Sequence, residues 1–248
     1  MSESLTPSVK LADLAERFWS FQCREFPMLG IQAGVATRDA VLMRESPSDH
    51  ARRYAAAARF LLELDRISTD RLTAQDRVTH RLLRREFDEL RVFYELRAHQ
   101  RPSLYPMGPE FLTTFFSNTV AISQVDGAQL YADRLATIPS FLSELIENLA
   151  DGHAAGFRYP KRVLECASRA VRASLAGPDD ALPWHGPFKR TTLTASAVDN
   201  AASRARLIVR EQIVPAFEAY AEFLEGPLSA NARDSLSCTD SPDGEAFY

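Results

Sequence analysis

Cysteine is scarce in this sequence, and its placement excludes as much as its number. The three cysteines, Cys23, Cys166 and Cys238, are odd in number, far apart and never in C-x-x-C spacing. Neither a disulfide framework nor a zinc knuckle is indicated, and a reducing compartment fits best. A surplus of positive charge is missing too: 29 Lys and Arg stand against 33 Asp and Glu, for a formal net charge of -4. Phosphate backbones and anionic bilayers call for a basic surface, so neither nucleic acid nor membrane is an expected partner. No stretch approaches the ~18 apolar residues that cross a bilayer. The opening MSESLTPSVKLADLAERFW has neither the basic nor the apolar region of a secretory leader, and the expected location is the cytoplasm. Strand-type alternation, fixed-period repeats and low-complexity linkers are all absent, so residues 1–248 read as a single helical domain.

What is present is helical signal from end to end. With 46% hydrophobic and 25% charged residues the chain is globular and can bury a sizeable core. Thr6-Pro7 supplies an N-cap followed by proline at the first helical position, and Leu11, Leu14, Phe18 and Phe21 then recur at three-to-four spacing. Ser46-Pro47-Ser48-Asp49 has the form of a capping box and opens HARRYAAAARFLLELDRI. Thr73 opens the longest segment, in which Leu83, Phe87, Leu90 and Tyr94 form one stripe. Long helices are predicted near 8–26, 47–67, 74–99 and 196–225, the last running past Pro215. Residues 101–126 should be a loop and then a short helix. Asp126 is expected to cap the next helix, Pro139 to kink or restart it, and Pro160 to start another. GPDDALPWHGPFKRTT reads as a long loop. The fold class is all-α, an irregular array of long amphipathic helices.

Chemistry is thinly marked. No HExxH occurs, nor any Gly-rich phosphate loop or G-x-S-x-G elbow, and no cysteine has a histidine partner nearby in sequence. The five histidines are His50, His80, His99, His153 and His185. Glu95 and His99 share four-residue spacing, but His99 is better read as an imidazole near the negative end of a helix. His185 sits in the more site-like setting, a loop, where Trp184 and Phe188 are expected to pack inward as anchors. The acid pairs Glu86 with Glu89 and Glu144 with Glu147 lie within reach on a helix. Glu86 and Glu89 sit among Arg81, Arg84, Arg85 and Arg91, and read as a solvated, ion-paired face. The stripe Arg77, Arg81, Arg85 offers bidentate forks that suit an acidic partner, against interleaved Asp88, Glu89 and Glu95. From the residues alone no catalytic, cofactor-binding or metal-binding residue is assigned.

The order of features nevertheless resembles a known family. "RFW" leads to "REFP"; "SPSDHARR" precedes "FLLELDRI"; then come "LTAQDRVTHRLLRREFDEL", "YADRLATIPSFLSELIENLADGHAAGFRYPKRVLE" and "PWHGPFKR". The most specific stretch is "VPAFEAYAEFL" followed by "ARDSLSCTDSPDGEAFY". Together they resemble the N-terminal half of the bacterial domain-of-unknown-function 885 family, across essentially the whole chain. Members of that family are similar to helical zinc metallopeptidases, whose HExxH motif and further glutamate ligand lie downstream of the tail motif. The resemblance therefore implies an incomplete, substrate-cleft-forming part of a metallopeptidase-like protein. Zinc is implied only for the C-terminal half, and no zinc ligand or general base carries over to any residue here. The implied partners are a C-terminal zinc-bearing segment or a second copy, and a peptide. The alternative is a non-catalytic helical binding or scaffold protein. On this reading SPDGEAFY is a turn followed by the start of a helix that belongs to a further half.

Overall fold

The computed structural model describes residues 6–35 and 40–247, and every described element of regular structure is helical. The first three long helices follow their capping signals. α1 (Pro7–Glu25) begins at Thr6, whose hydroxyl accepts from the Val9 amide at 3.4 Å. After the short α2 (Pro27–Gln32), α3 (Pro47–Asp65) starts on a complete capping box: the Asp49 amide donates to Ser46 Oγ and the Ser46 amide to Asp49 Oδ2, each at 3.2 Å. α4 (Ala74–Glu95) is capped by Thr73. These three helices bury a small aromatic core. The ring of Phe87 meets that of Phe18 edge-on at 4.8 Å and stacks on Phe60 at 5.4 Å, with Leu11, Leu14 and Leu64 around them.

The larger core is built by α5 (Pro109–Thr119), α6 (Val125–Leu135), α7 (Ile138–Ala154), α8 (Lys161–Ser174), the five-residue α9 (Gly186–Arg190), α10 (Ala195–Ile208) and α11 (Val214–Phe223). At its centre Trp184 is fully buried and stacks on Phe217 at 5.5 Å, while the Tyr131 hydroxyl donates to the Trp184 carbonyl at 2.7 Å. The anchoring role expected for Trp184 holds. The loop around it is more ordered than its prolines and glycines suggest, since it contains two 3₁₀ turns and α9.

Three expectations need correction. α4 stops at Glu95 rather than near 99, because Arg97 adopts a left-handed conformation with φ of 53° and begins a 3₁₀ turn over Ala98–Gln100. α6 starts one residue before Asp126, with Gln124 at the cap position and no side-chain cap; Asp126 instead lies in the first turn. The helix predicted over 196–225 is interrupted. A π turn over Val209–Ile213 precedes Pro215 and another over Leu224–Leu228 contains Pro227. A proline inside a helix lacks its N–H and presses on the carbonyl four residues back, and a widened turn accommodates both defects without ending the helix. Pro139 restarts the chain as α7, and the loop and short helix expected over 101–126 are found as α5 and its approach.

The tail is tied down. The Arg233 amide donates to the Tyr159 carbonyl at 3.0 Å and the Lys161 amide to the Arg233 carbonyl at 2.8 Å, an isolated bridge beside the start of α8. Beyond it, Asp243 rather than Gly244 takes positive φ, 55°. Gly244 is needed for a different reason: any Cβ there would collide with the Cys238 carbonyl. It opens the single turn α12 (Gly244–Phe247), and Arg101 holds that turn by donating to the Pro242 carbonyl at 2.9 Å with its guanidinium 4.0 Å from the Phe247 ring centroid. Tyr248 lies outside the described residues.

Candidate binding cleft

A buried polar cluster forms where α1, α3 and the turn after α4 meet α7. Arg52 grips the buried Glu25 carboxylate with two nitrogens, at 3.0 and 2.7 Å, and also bonds Asp49. Arg53 is almost fully enclosed. It donates to the carbonyls of Glu25 (3.1 Å) and Arg44, and its guanidinium lies 4.4 Å from the Phe26 ring centroid. Burial lowers the Arg53 pKa, and the nearby Glu45, Glu25 and Asp49 oppose that shift. Glu45 is held through its backbone, whose amide donates to Glu144 at 2.8 Å and whose carbonyl accepts from Asn148 at 2.6 Å, both on α7.

Two imidazoles complete the cluster. His50 Nδ1 lies 3.5 Å from an Arg53 nitrogen that can only donate, so Nδ1 accepts and the proton of a neutral ring sits on Nε2. That Nε2 is 3.2 Å from Glu45 Oε2, yet the alignment makes no hydrogen bond and the atom is left buried without one. His99 stacks on His50 with ring centroids 4.5 Å apart, and on Tyr94 at 5.4 Å. Burial pushes the His99 pKa down to about 4. A neutral, stacked His99 replaces the charged helix-end imidazole that its position suggested, because α4 has already ended and the 3₁₀ turn folds the ring inward.

Two openings flank this cluster. One is a cavity of about 230 Å³ whose walls include Phe26, Glu45, His50, Arg53, Phe93 and Tyr94, with Glu86 and Glu89 at its side. The other is a groove of about 700 Å³ along the outer face of α4, floored by Val92, Phe93, Leu96 and Phe247 and bordered by Arg81, Arg84, Arg85 and Arg101. Phe93 and Glu89 belong to both. The solvated acid-base face predicted for this helix is there, with Arg85 and Glu89 paired at 2.5 Å and Arg91 and Glu95 at 3.1 Å. Arg81 and Arg85 of the arginine stripe share the groove, whereas Arg77 is exposed outside it. Val92 and Phe93 are each nearly half exposed within that charged face, which no ion-pair pattern predicts.

The other residues singled out by sequence fall elsewhere. His185 is buried, its Nε2 3.9 Å from Asp179 Oδ1, on the wall of a separate cavity of about 420 Å³. Glu144 is engaged by the Glu45 amide while Glu147 is exposed, and Glu147 adds only through its charge to the upward shift that burial imposes on Glu144. No local spacing encodes the meeting of His50, Glu45, Arg53 and His99, since the pairing is made by the turn after α4. Zinc, implied by the resemblance for another part of the protein, does not fit here either. A zinc site needs three or four lone pairs converging at about 2.0–2.3 Å. Near-parallel rings stacked 4.5 Å apart do not converge, and Arg53 occupies Nδ1 of His50. Among the described residues no group of three metal-binding side chains comes together.

The structure is thus an all-α array with a buried polar cluster beside an amphipathic groove. The chain belongs to the family described as "Bacterial protein of unknown function (DUF885)", which matches residues 27–248. The match begins after α1, so the "RFW" to "REFP" stretch lies almost wholly outside it. Among solved structures the chain is similar to "the putative lipoprotein from Colwellia psychrerythraea", with a TM-score of 0.83 at 15% identity. That alignment covers 98% of this chain but 45% of the other, so the chain spans less than half the length of that protein. None of the curated proteins matches. No helix among the described residues is long and apolar enough to cross a membrane.

Proposed function

We propose that this chain forms one wall of a peptide-binding cleft in a larger, metallopeptidase-like protein and is inactive in hydrolysis by itself. The observation that carries this reading is the groove on α4, about 700 Å³ in volume, where half-exposed Val92 and Phe93 lie among arginines. Apolar surface rimmed by charge marks a place where another chain segment sits. A fold that matches 45% of the Colwellia chain supports a larger whole. The zinc and its general base would come from an HExxH-bearing segment, since the 248 residues contain no such motif.

The experiment is to assay fluorogenic peptides with this chain alone and then with a separately produced HExxH-bearing segment from a family member. No hydrolysis alone, and complex formation on mixing, are expected. A monomer with no affinity for that segment overturns the reading. It would favour the second one, a self-sufficient helical binding protein, which draws on the way Arg101 pins α12 to the body.

A further inference from the structure

We propose that the 230 Å³ cavity beside His50 is a recognition site for the free amino terminus of a short peptide. Three carboxylates reach its lining, from Glu45, Glu86 and Glu89, against one guanidinium, that of Arg53. That guanidinium is shared: Glu25 Oε2 lies 3.5 Å from Arg53 Nε, Nη2 donates to the carbonyls of Glu25 and Arg44, and Nη1 faces His50 Nδ1 with Glu45 Oε1 at 3.9 Å. Glu89 is paired with Arg85 at 2.5 Å, so the negative charge left to the cavity is that of Glu86 and of a Glu45 that shares Arg53 with Glu25, and an ammonium group supplies the complement. Its walls suit a cation as well. Phe26 already carries one on its face, the Arg53 guanidinium at 4.4 Å, and the Phe93 ring stands half exposed at the mouth.

Carboxylates and an aromatic ring would accept any amine; His50 narrows the choice. Its Nε2 is buried and belongs to a ring that lines the cavity, and the Arg53 contact at Nδ1 places a proton there, yet its neighbour Glu45 Oε2, 3.2 Å away, is misaligned and takes no hydrogen bond from it. A buried donor without a partner is costly, and a ligand that brings an oxygen removes that cost. An α-amine with a carbonyl beside it satisfies both demands, the amine on Glu45 and the carbonyl oxygen on His50 Nε2–H. The volume is that of a head group rather than a whole ligand. Phe93 and Glu89 connect it to the groove on α4, whose apolar floor and arginines suit the side chain and the carboxylate that follow. The peptide part of this assignment rests on the cleft reading above. Binding is measured without any zinc-bearing segment, so the two fail separately.

The test is calorimetric titration of the full 248-residue chain with the tripeptide Leu-Leu-Glu, its N-acetylated form, and n-butylamine. The free tripeptide should bind, acetylation should weaken it by tenfold or more, and n-butylamine should bind more weakly than the tripeptide. Glu45→Gln should weaken the free peptide by roughly tenfold and leave the acetylated form unchanged. Glu86→Gln, at an exposed position that the fold does not depend on, should act in the same direction and guards against a folding defect in the first variant. Equal binding of the free and acetylated peptides, binding of n-butylamine as tight as that of the tripeptide, or no binding of the tripeptide at millimolar concentration overturns the assignment.

Discussion

The imidazole of His50 lies against that of His99 with the ring centroids 4.5 Å apart and the planes 25° from parallel. Burial holds the His99 pKa at about 4, against 6.5 for an unburied histidine, with Glu45 and Asp151 opposing the shift and Arg97 adding to it. The unfolded chain therefore binds a proton at His99 that the folded chain refuses. That contribution is fully present above pH 6.5 and falls away as pH drops from 6.5 toward 4, the loss reaching about 2 kcal/mol by pH 5. Scanning calorimetry at pH 7.5 and pH 5 should show the loss, and His99→Gln should flatten this part of the profile. An unchanged profile in the variant would mean that other groups set the acid limb.

Gly152, inside α7, faces the turn that carries His99. A Cβ at this position would collide with the Gln100 carbonyl. Gly→Ala in a helix interior ordinarily gains up to about 1 kcal/mol. Here the sign should reverse: Gly152→Ala should destabilise by about 1–3 kcal/mol, because two backbone segments cannot separate without moving the His99 turn. Urea unfolding of the variant measures it, and a stabilised Gly152→Ala would show that the contact is loose.

Phe87 is fully buried between Phe18 and Phe60 in the smaller core. The surrounding Leu11, Leu14 and Leu64 are themselves fixed in three packed helices, so they should not close around a void. Phe87→Ala is expected to cost about 3–5 kcal/mol, read as a lowered urea midpoint. Because α4 carries both the cavity and the groove, the variant should also lose peptide affinity.

The groove predicts solution behaviour. Exposed apolar surface of this kind binds hydrophobic dyes or a second copy. The isolated chain should enhance the fluorescence of such a dye or self-associate in gel filtration, and Phe93→Ser should reduce either effect more than Trp19→Ser. Trp19 is similarly exposed but borders neither opening. Equal responses from the two variants would place the sticky surface elsewhere.

Metal content offers a direct check. After dialysis the purified chain should carry far less than one equivalent of zinc, since stacked imidazoles and a guanidinium do not make a tetrahedral site. Stoichiometric zinc by elemental analysis would reveal a ligand set that the described residues do not assemble.

Sequence alone determined where α1, α3 and α4 begin. Thr6, Ser46 and Thr73 satisfy amides three residues ahead, an interaction local enough to be written in four consecutive residues. The apolar stripes holding Leu11, Phe18 and Phe87 were equally legible, because period and burial are the same fact for an amphipathic helix. Where α4 ends was not legible: no glycine marks the stop, and Arg97 takes the left-handed conformation itself. The π turns at Pro215 and Pro227 were hidden for a similar reason, since proline alone does not say whether the chain breaks or widens. The site was the least visible. Glu25, Glu45, His50, Arg53 and His99 come from four separate stretches of chain, and only the packing of α1, α3 and α4 against α7 brings them together. Caps and stripes depend on neighbours in sequence, whereas the charge, burial and missing hydrogen bond at His50 depend on neighbours in space.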